Sequence, residues 1–243
     1  MTAPIVECHE VTLAYQDEIV VDKVNLSIAH GALLPFVGPN GAGKTTLFNA
    51  MLGLLKPRSG AIIRHFGARP PGYVPQQKQI DPLYPVSVRQ IVAMGLYPEA
   101  GPWPGLRKSL RQRLDDTLAW FGLAEHERKT FAELSGGMRQ KALIARAVVS
   151  RAEVIFLDEP LAGLDAAAEE ATLQMLIDLN RSHGRTIILA HHRLEDLSRL
   201  ASQVCLVNHQ QATLVPADQA AATLAAAWRH SAPRQENDEL LHN

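Results

Sequence analysis

An α/β fold organised around a phosphate-binding loop is predicted by three observations. First, Gly38-Pro39-Asn40-Gly41-Ala42-Gly43-Lys44-Thr45-Thr46 fits G-x-x-x-x-G-K-[ST], and it lies between a strand-like apolar run, Ala32 to Val37, and a helix-like stretch, Lys44 to Leu55. Second, Val154 to Leu157 and Thr186 to Ala190 are short, continuously apolar runs, the pattern of parallel strands covered on both faces. Third, residues 77–150 read as helices separated by prolines, with Leu106, Leu110, Leu114, Leu118 and Phe121 recurring almost every four positions. The class is therefore α/β, with an antiparallel β-layer at the start of the chain and an inserted helical subdomain.

The β-layer comes first. Ile5 to Tyr15 alternates as a strand does, a polar turn follows at Gln16-Asp17-Glu18, and Ile19 to Val21 and Val24 to Ile28 read as two more short strands. Tyr15 is an aromatic ring that could stack on a nucleotide base or serve the core. Pro35 is an oddity in the strand before the loop, where a missing N–H should break a ladder bond; it is read as the point where that strand leaves one sheet for another.

The loop's residue types follow from its task. Gly38, Gly41 and Gly43 permit backbone shapes that a Cβ obstructs, so N–H groups between Gly38 and Thr46 can turn inward on an anion. The helix opening at Lys44 adds the positive end of its dipole. Lys44 supplies a point charge for the β- and γ-phosphates, and Thr45 supplies a hydroxyl for Mg²⁺. These features specify a P-loop (RecA-like) nucleotide hydrolase core.

Beyond the first helix, Lys56 to Gly60 is a turn, Ala61 to His65 a short strand, and Gly72 to Gln76 a strand ending in glutamine. Gln76 carries both an acceptor and a donor, which suits an Mg²⁺ or water contact at a strand's C-terminal end. In the helical stretch, Val86 to Gly95 and Leu106 to Phe121 are helices. Leu134-Ser135-Gly136-Gly137-Met138-Arg139-Gln140 opens another, to about Ser150, with Ser135 as N-cap and Gly136 and Gly137 leaving backbone N–H groups open. The strand from Val154 delivers Asp158, a candidate Mg²⁺ ligand, and Glu159, a candidate general base. Leu161 to Asp165 is a loop and Ala166 to Asn180 a helix. The strand from Thr186 ends in His191-His192-Arg193, where alternation lets only one histidine face a nucleotide. Val204 to Val207 and Ala212 to Leu214 are the last strands, Ala217 to Trp228 is an Ala-rich helix, and residues 230–243 read as a polar, disordered tail. The units are thus 1–76 with 151–229 as core and 77–150 as helical subdomain.

Bulk properties set limits. With 243 residues, 47% hydrophobic and 20% charged, the composition is that of an ordinary globular chain. The 24 basic and 25 acidic side chains give a formal charge of -1, which argues against nucleic acid as a partner. No apolar run approaches the ~20 residues that span a bilayer, and the first ten residues lack the features of a signal peptide. Cys8 and Cys205, both in strand-like runs, read as buried small hydrophobes of a reducing compartment. The histidines are scattered and suggest no metal-ligand cluster.

Taken in order, Tyr15, the phosphate loop, Gln76, Leu134 to Gln140, Asp158-Glu159, Asp165 and His192 resemble the ATPase subunit of an ATP-binding cassette (ABC) transporter, over about Val6 to Val215. The resemblance implies ATP and Mg²⁺ as cofactors and two copies of the chain sandwiching two ATP molecules. It implies that Ser135, Gly136 and Gly137 meet the nucleotide of the other copy. It places Tyr15 against adenine, Gln76 as sensor of the γ-phosphate and the membrane partner, Asp165 at the dimer seam and His192 on the γ-phosphate. His191 and Arg193 stand where the family usually has Thr or Ser and Asp, while Leu194-Glu195 fit the register that makes His192 the functional one. It further implies a transmembrane permease subunit, an extracytoplasmic substrate-binding protein, and a place on the cytoplasmic face of the membrane. Tyr73 to Gln76, Tyr84 to Val88, Met94 to Tyr97 and Glu159 to Asp165 are similar to the subgroup serving zinc, manganese or iron uptake; siderophore or haem uptake and export are the alternatives, and behind them a non-transport relative working on DNA or ribosomes, against which the single compact cassette and the lack of a basic surplus speak. Gln77 to Leu96, with Asp81, Leu83 and Tyr84, is the expected permease-docking stretch.

Overall fold

The computed structural model describes residues 3–76, 85–100, 105–192 and 201–229, the last six of these by backbone alone. Asp81, Leu83, Tyr84, Arg193, Leu194, Glu195 and the 230–243 tail lie outside the described residues.

Two sheets carry the α/β architecture. Strands β1 (Pro4–Tyr15), β2 (Glu18–Ala29) and β4 (Ser59–Arg64) form an antiparallel sheet in the order β2-β1-β4. The second sheet has the order β5-β6-β7-β3-β8-β9, from β3 (Leu33–Val37), β5 (Gly72–Val74), β6 (Val154–Asp158), β7 (Thr186–His191), β8 (Gln203–Asn208) and β9 (Gln211–Pro216). Its first five strands run parallel and β9 returns antiparallel to β8. The β8–β9 turn ties the sheets together, since Asp22 N–H donates to the Gln210 carbonyl at 2.8 Å.

The apolar strands serve two cores by alternation. Ile155, Leu157, Ile187 and Leu189 join the cluster under the helices, whereas Val154, Phe156, Ile188 and Ala190 join the cluster under the β-layer. On the latter side Phe36, Phe48 and Phe156 meet edge to face, with centroids 5.2 and 5.4 Å apart. Each fully buried ring of this kind contributes roughly 1.5–3 kcal/mol. The helices are α1 (Lys44–Leu52), α2 (Val88–Ala93), α3 (Tyr97–Ala100), α4 (Lys108–Trp120), α5 (Gly136–Val149), α6 (Ala166–Arg181) and α7 (Ala217–Arg229). Leu110, Leu114 and Leu118 are the buried stripe of α4.

Three expectations change. The two short strands after the first turn are one strand, β2, whose pairing with β1 shifts register between Val11 and Leu13; the polar Asp22-Lys23 pair that suggested a break is accommodated by that irregularity. Helix α1 stops three residues early, because Gly53 takes a left-handed conformation (φ 84°) and its N–H caps the last turn. Pro35 does not mark a change of sheet. The Ala32 carbonyl accepts from Ile187 N–H, so even-numbered residues of β3 face β7 and Pro35 faces β8. Pairing with β8 begins only at Phe36, so the missing N–H falls where the ladder has not yet started.

Candidate functional site

Parallel topology gathers the chemistry at one edge. Strands β5, β6, β7 and β3 are neighbours, and at their C-terminal ends stand Gln76, Asp158-Glu159, His191-His192 and the phosphate loop. That edge is where open α/β sheets bind ligands. A cavity of about 380 Å³ lies there, lined by Asn40, Gly41, Gly43 to Thr46, Gln76 and Glu159.

The loop's glycines have different reasons to be glycine. Gly41 and Gly43 adopt φ of 80° and 99°, which a side chain would strain. Gly38 has no such φ. A Cβ there would lie 2.0 Å from the Val207 carbonyl of β8, so close approach of two backbones excludes a side chain. Ala42 N–H donates to the Pro39 carbonyl at 3.2 Å, which closes the loop on itself.

Lys44 is buried, and its Nζ donates to the Gly38 and Pro39 carbonyls at 2.8 and 2.9 Å. Burial pushes its ammonium below the ordinary value, opposed by the charges of Glu159 and Asp158. Thr45 Oγ1 donates to Asp158 Oδ2 at 2.7 Å. Burial pushes the Asp158 carboxyl above its ordinary value, the Thr45 hydrogen bond pulls it down, Glu159 raises it and Lys44 lowers it. Asp158 Oδ1 is buried and has no hydrogen-bond partner among the described residues. An orphaned carboxylate oxygen beside a hydroxyl is a hard-oxygen donor set of the kind Mg²⁺ takes. The residues present therefore fit that ion.

Glu159 is half-buried on the cavity wall in the left-handed region, φ 49°, with its N–H on the Ala190 carbonyl at 3.1 Å. A non-glycine residue held there costs of order 1–3 kcal/mol and is characteristic of functional sites. The histidines divide by alternation. His191 continues the Ile187–Leu189 face and is buried, whereas His192 is exposed. Their rings lie 4.8 Å apart.

The other expected site residues stand elsewhere in the chain. Tyr15 is at the β1–β2 hairpin tip, paired with Glu18 and 50% exposed, so it serves no core; it does not line the phosphate cavity. Ser135 caps α5, its Oγ accepting from Met138 N–H at 3.3 Å, and Asp165 caps α6, accepting from Ala168 N–H at 2.8 Å. Gly137 packs against Ala168, where a Cβ would come within 3.0 Å. None of Ser135, Gly136, Gly137 and Asp165 lines the cavity. Sequence reasoning missed Arg139 as a brace of this turn. Its guanidinium donates to the Phe131 and Ala132 carbonyls at 3.0 and 2.8 Å and lies 5.5 Å over the Phe131 ring. Spacing gave no signal for it, because those carbonyls precede the motif, which opens at Leu134, by two to three residues.

The ABC transporter family model matches residues 21–162, more than half of the chain. The chain belongs to that family. It is an ABC-type ATPase, the nucleotide-hydrolysing motor subunit of a transport system. Among curated relatives, the manganese transport system ATP-binding protein MntB of Listeria innocua serovar 6a is 35% identical over 213 residues, covering 86% of this chain and 88% of its own. The zinc transport system ATP-binding protein TroB of Treponema pallidum is 37% identical over 216 residues, covering 85% and 79%. A chain of a metal-chelate type ABC transporter, solved in an inward-facing conformation, matches with TM-score 0.85 at 29% identity, over 93% of this chain and 89% of that one. No described helix of the ATPase is long and apolar enough to cross a membrane.

Proposed function

We propose that this ABC ATPase drives import of a transition-metal ion through a separate membrane permease. The observation that carries the cargo is the near full-length match to relatives named for manganese and zinc transport. Two copies close on two ATP molecules, each phosphate loop facing the Ser135–Gly137 turn of the other copy, with Asp165 at the seam and Tyr15 against adenine. In support, the cavity beside Lys44 is lined by the loop and has room for phosphate groups, while the Ser135–Gly137 turn, at the N-terminus of α5, lines no part of it.

Within each site the loop N–H groups and Lys44 take the phosphates, and Thr45, Asp158 and Gln76 hold Mg²⁺. When bound, the ion would neutralise phosphate charge. Glu159 accepts a proton from the attacking water, and His192 donates to the γ-phosphate. The docking surface for the permease is the stretch from Gln77 to Leu96, and an extracytoplasmic binding protein delivers the cargo. A metal chelate is the second reading, favoured by the metal-chelate type structural neighbour.

The test is uptake by proteoliposomes holding the ATPase with its co-purified permease. ATP-dependent accumulation of Mn²⁺ or Zn²⁺, lost in Lys44→Ala, is expected. Accumulation of a chelate with no free-ion transport would replace the first reading with the second.

A further inference from the structure

A second cavity, of about 510 Å³, shares no lining residue with the phosphate cavity. Its walls come from the α4 face between Ser109 and Phe121, the end of α5 from Val148 to Arg151, and the α6–β7 link at Leu179, His183 and Arg185. This volume lies in the range of small-molecule sites, roughly 300–1,000 Å³.

Two features give the cavity a chemical character. Trp120 is 45% exposed on its wall, an unusual position for so large a ring. Phe121 and His183 meet it nearly perpendicular, at 75° and 88° with centroids 4.7 and 5.6 Å away, so they fix the indole without stacking parallel to it. The second feature is charge. Arg151 and Arg185 both line the cavity, and among the described residues neither has a carboxylate partner within 4.0 Å. Arg185 is pinned at the end of α5 by donating to the Arg151 and Ala152 carbonyls at 2.9 and 2.5 Å. Its charge is disfavoured first by burial, then by Arg69 and Arg151, and only Glu153 eases it.

The nearby carboxylates offset this pair only in part: Glu153 eases Arg185, and Glu99 feels the charge of Arg151 alongside those of Arg113 and Arg69. Glu99 is bound to Arg113 at 2.8 Å, and Asp116 accepts from Gln112 at 2.9 Å. A fixed aromatic ring beside two guanidiniums, Arg185 partly buried and Arg151 exposed, matches a ligand with a flat ring and a phosphate. The ring stacks on Trp120, and the phosphate relieves the Arg151–Arg185 repulsion. We propose that this cavity binds a nucleoside monophosphate, at a site separate from the phosphate loop.

Isothermal titration of the full-length Lys44→Ala chain in EDTA with AMP tests this, since both measures disable the loop's own site. AMP binds, while adenosine and inorganic phosphate, each holding half of the recognition, bind at least about tenfold more weakly. Trp120→Ala and Arg151→Glu each weaken AMP by about tenfold or more. Arg151→Asn does the same without disturbing the fold, because Arg151 is exposed at φ 57°, a conformation asparagine tolerates. Arg58→Glu, an equal charge change at another exposed position, leaves the affinity unchanged. No AMP heat at millimolar concentration overturns the proposal. So does phosphate binding as tightly as AMP, or an equal loss in Arg58→Glu.

Discussion

The phosphate-loop end and the Ser135 end of this ATPase are opposites. The first has a cavity, a buried cation, two carboxylates and a residue held at positive φ. The second has a helix N-terminus, two glycines and a capping serine, and it lines no part of that cavity. One end carries charge and stored strain, and the other carries a capped helix N-terminus with no charged side chain among Ser135, Gly136 and Gly137. In the function proposed above, the difference is that of two halves of one site, which a second copy would complete.

The largest expected effect breaks the first half alone. Glu159→Gln keeps the shape and the positive-φ backbone but cannot take a proton. Hydrolysis by the assembled transporter falls about 10²–10⁴-fold while ATP binding persists. Near-normal turnover would remove Glu159 as the base.

Breaking both halves in different copies sharpens the comparison. Lys44→Ala and Ser135→Arg chains, each inactive, are mixed in equal amounts. If halves combine in trans, half of the dimers are mixed and each has one site free of both lesions, about a quarter of the wild-type number. Steady-state ATPase recovers toward that fraction. Full activity of either variant alone would refute the composite site.

A smaller effect belongs to the brace of the second half. Arg139→Ala removes two charge-assisted hydrogen bonds to the turn before Ser135. Hydrolysis falls about tenfold, with nucleotide binding at the loop unchanged. Equal loss of binding would show that Arg139 supports the whole fold instead.

Legibility in sequence follows the same division. The loop, the strands and Asp158-Glu159 were readable because local chemistry dictates residue type: glycine where φ is positive, and apolar residues where a strand faces two cores. What stayed hidden depends on approach between distant segments. Gly38 is set by Val207 of β8, and Pro35 is harmless only because β8 pairs late. Arg139 acts through carbonyls outside its own motif. The choice between His191 and His192 was half legible, since alternation separated them and only burial showed which one is covered.

The smallest effect is one of stability, and its sign runs against function. Asp158 is 1% exposed, and burial raises its carboxyl above the ordinary value of 3.8. The fold therefore holds its proton more tightly than the unfolded chain does. Stability from this group is fully present below the unfolded value and is lost as pH rises through the folded one. Above the folded value the carboxyl is ionised, and its Oδ1 has no hydrogen-bond partner among the described residues. Asp158→Asn removes that charge, so its melting temperature exceeds wild type by a few degrees, about 2–4 °C per kcal/mol for a chain of this size. The gap narrows as pH falls toward the unfolded value, where wild-type Asp158 is protonated too. With Mg²⁺ and ATP the order reverses, because only the wild-type carboxylate gains a partner for its free oxygen. Paired melting curves at pH 7 and pH 5, with and without Mg²⁺-ATP, read all three shifts. A lower melting temperature for Asp158→Asn in every condition would mean that the carboxylate supports the fold, and the Thr45–Asp158 pair would then lose its standing as an ion site.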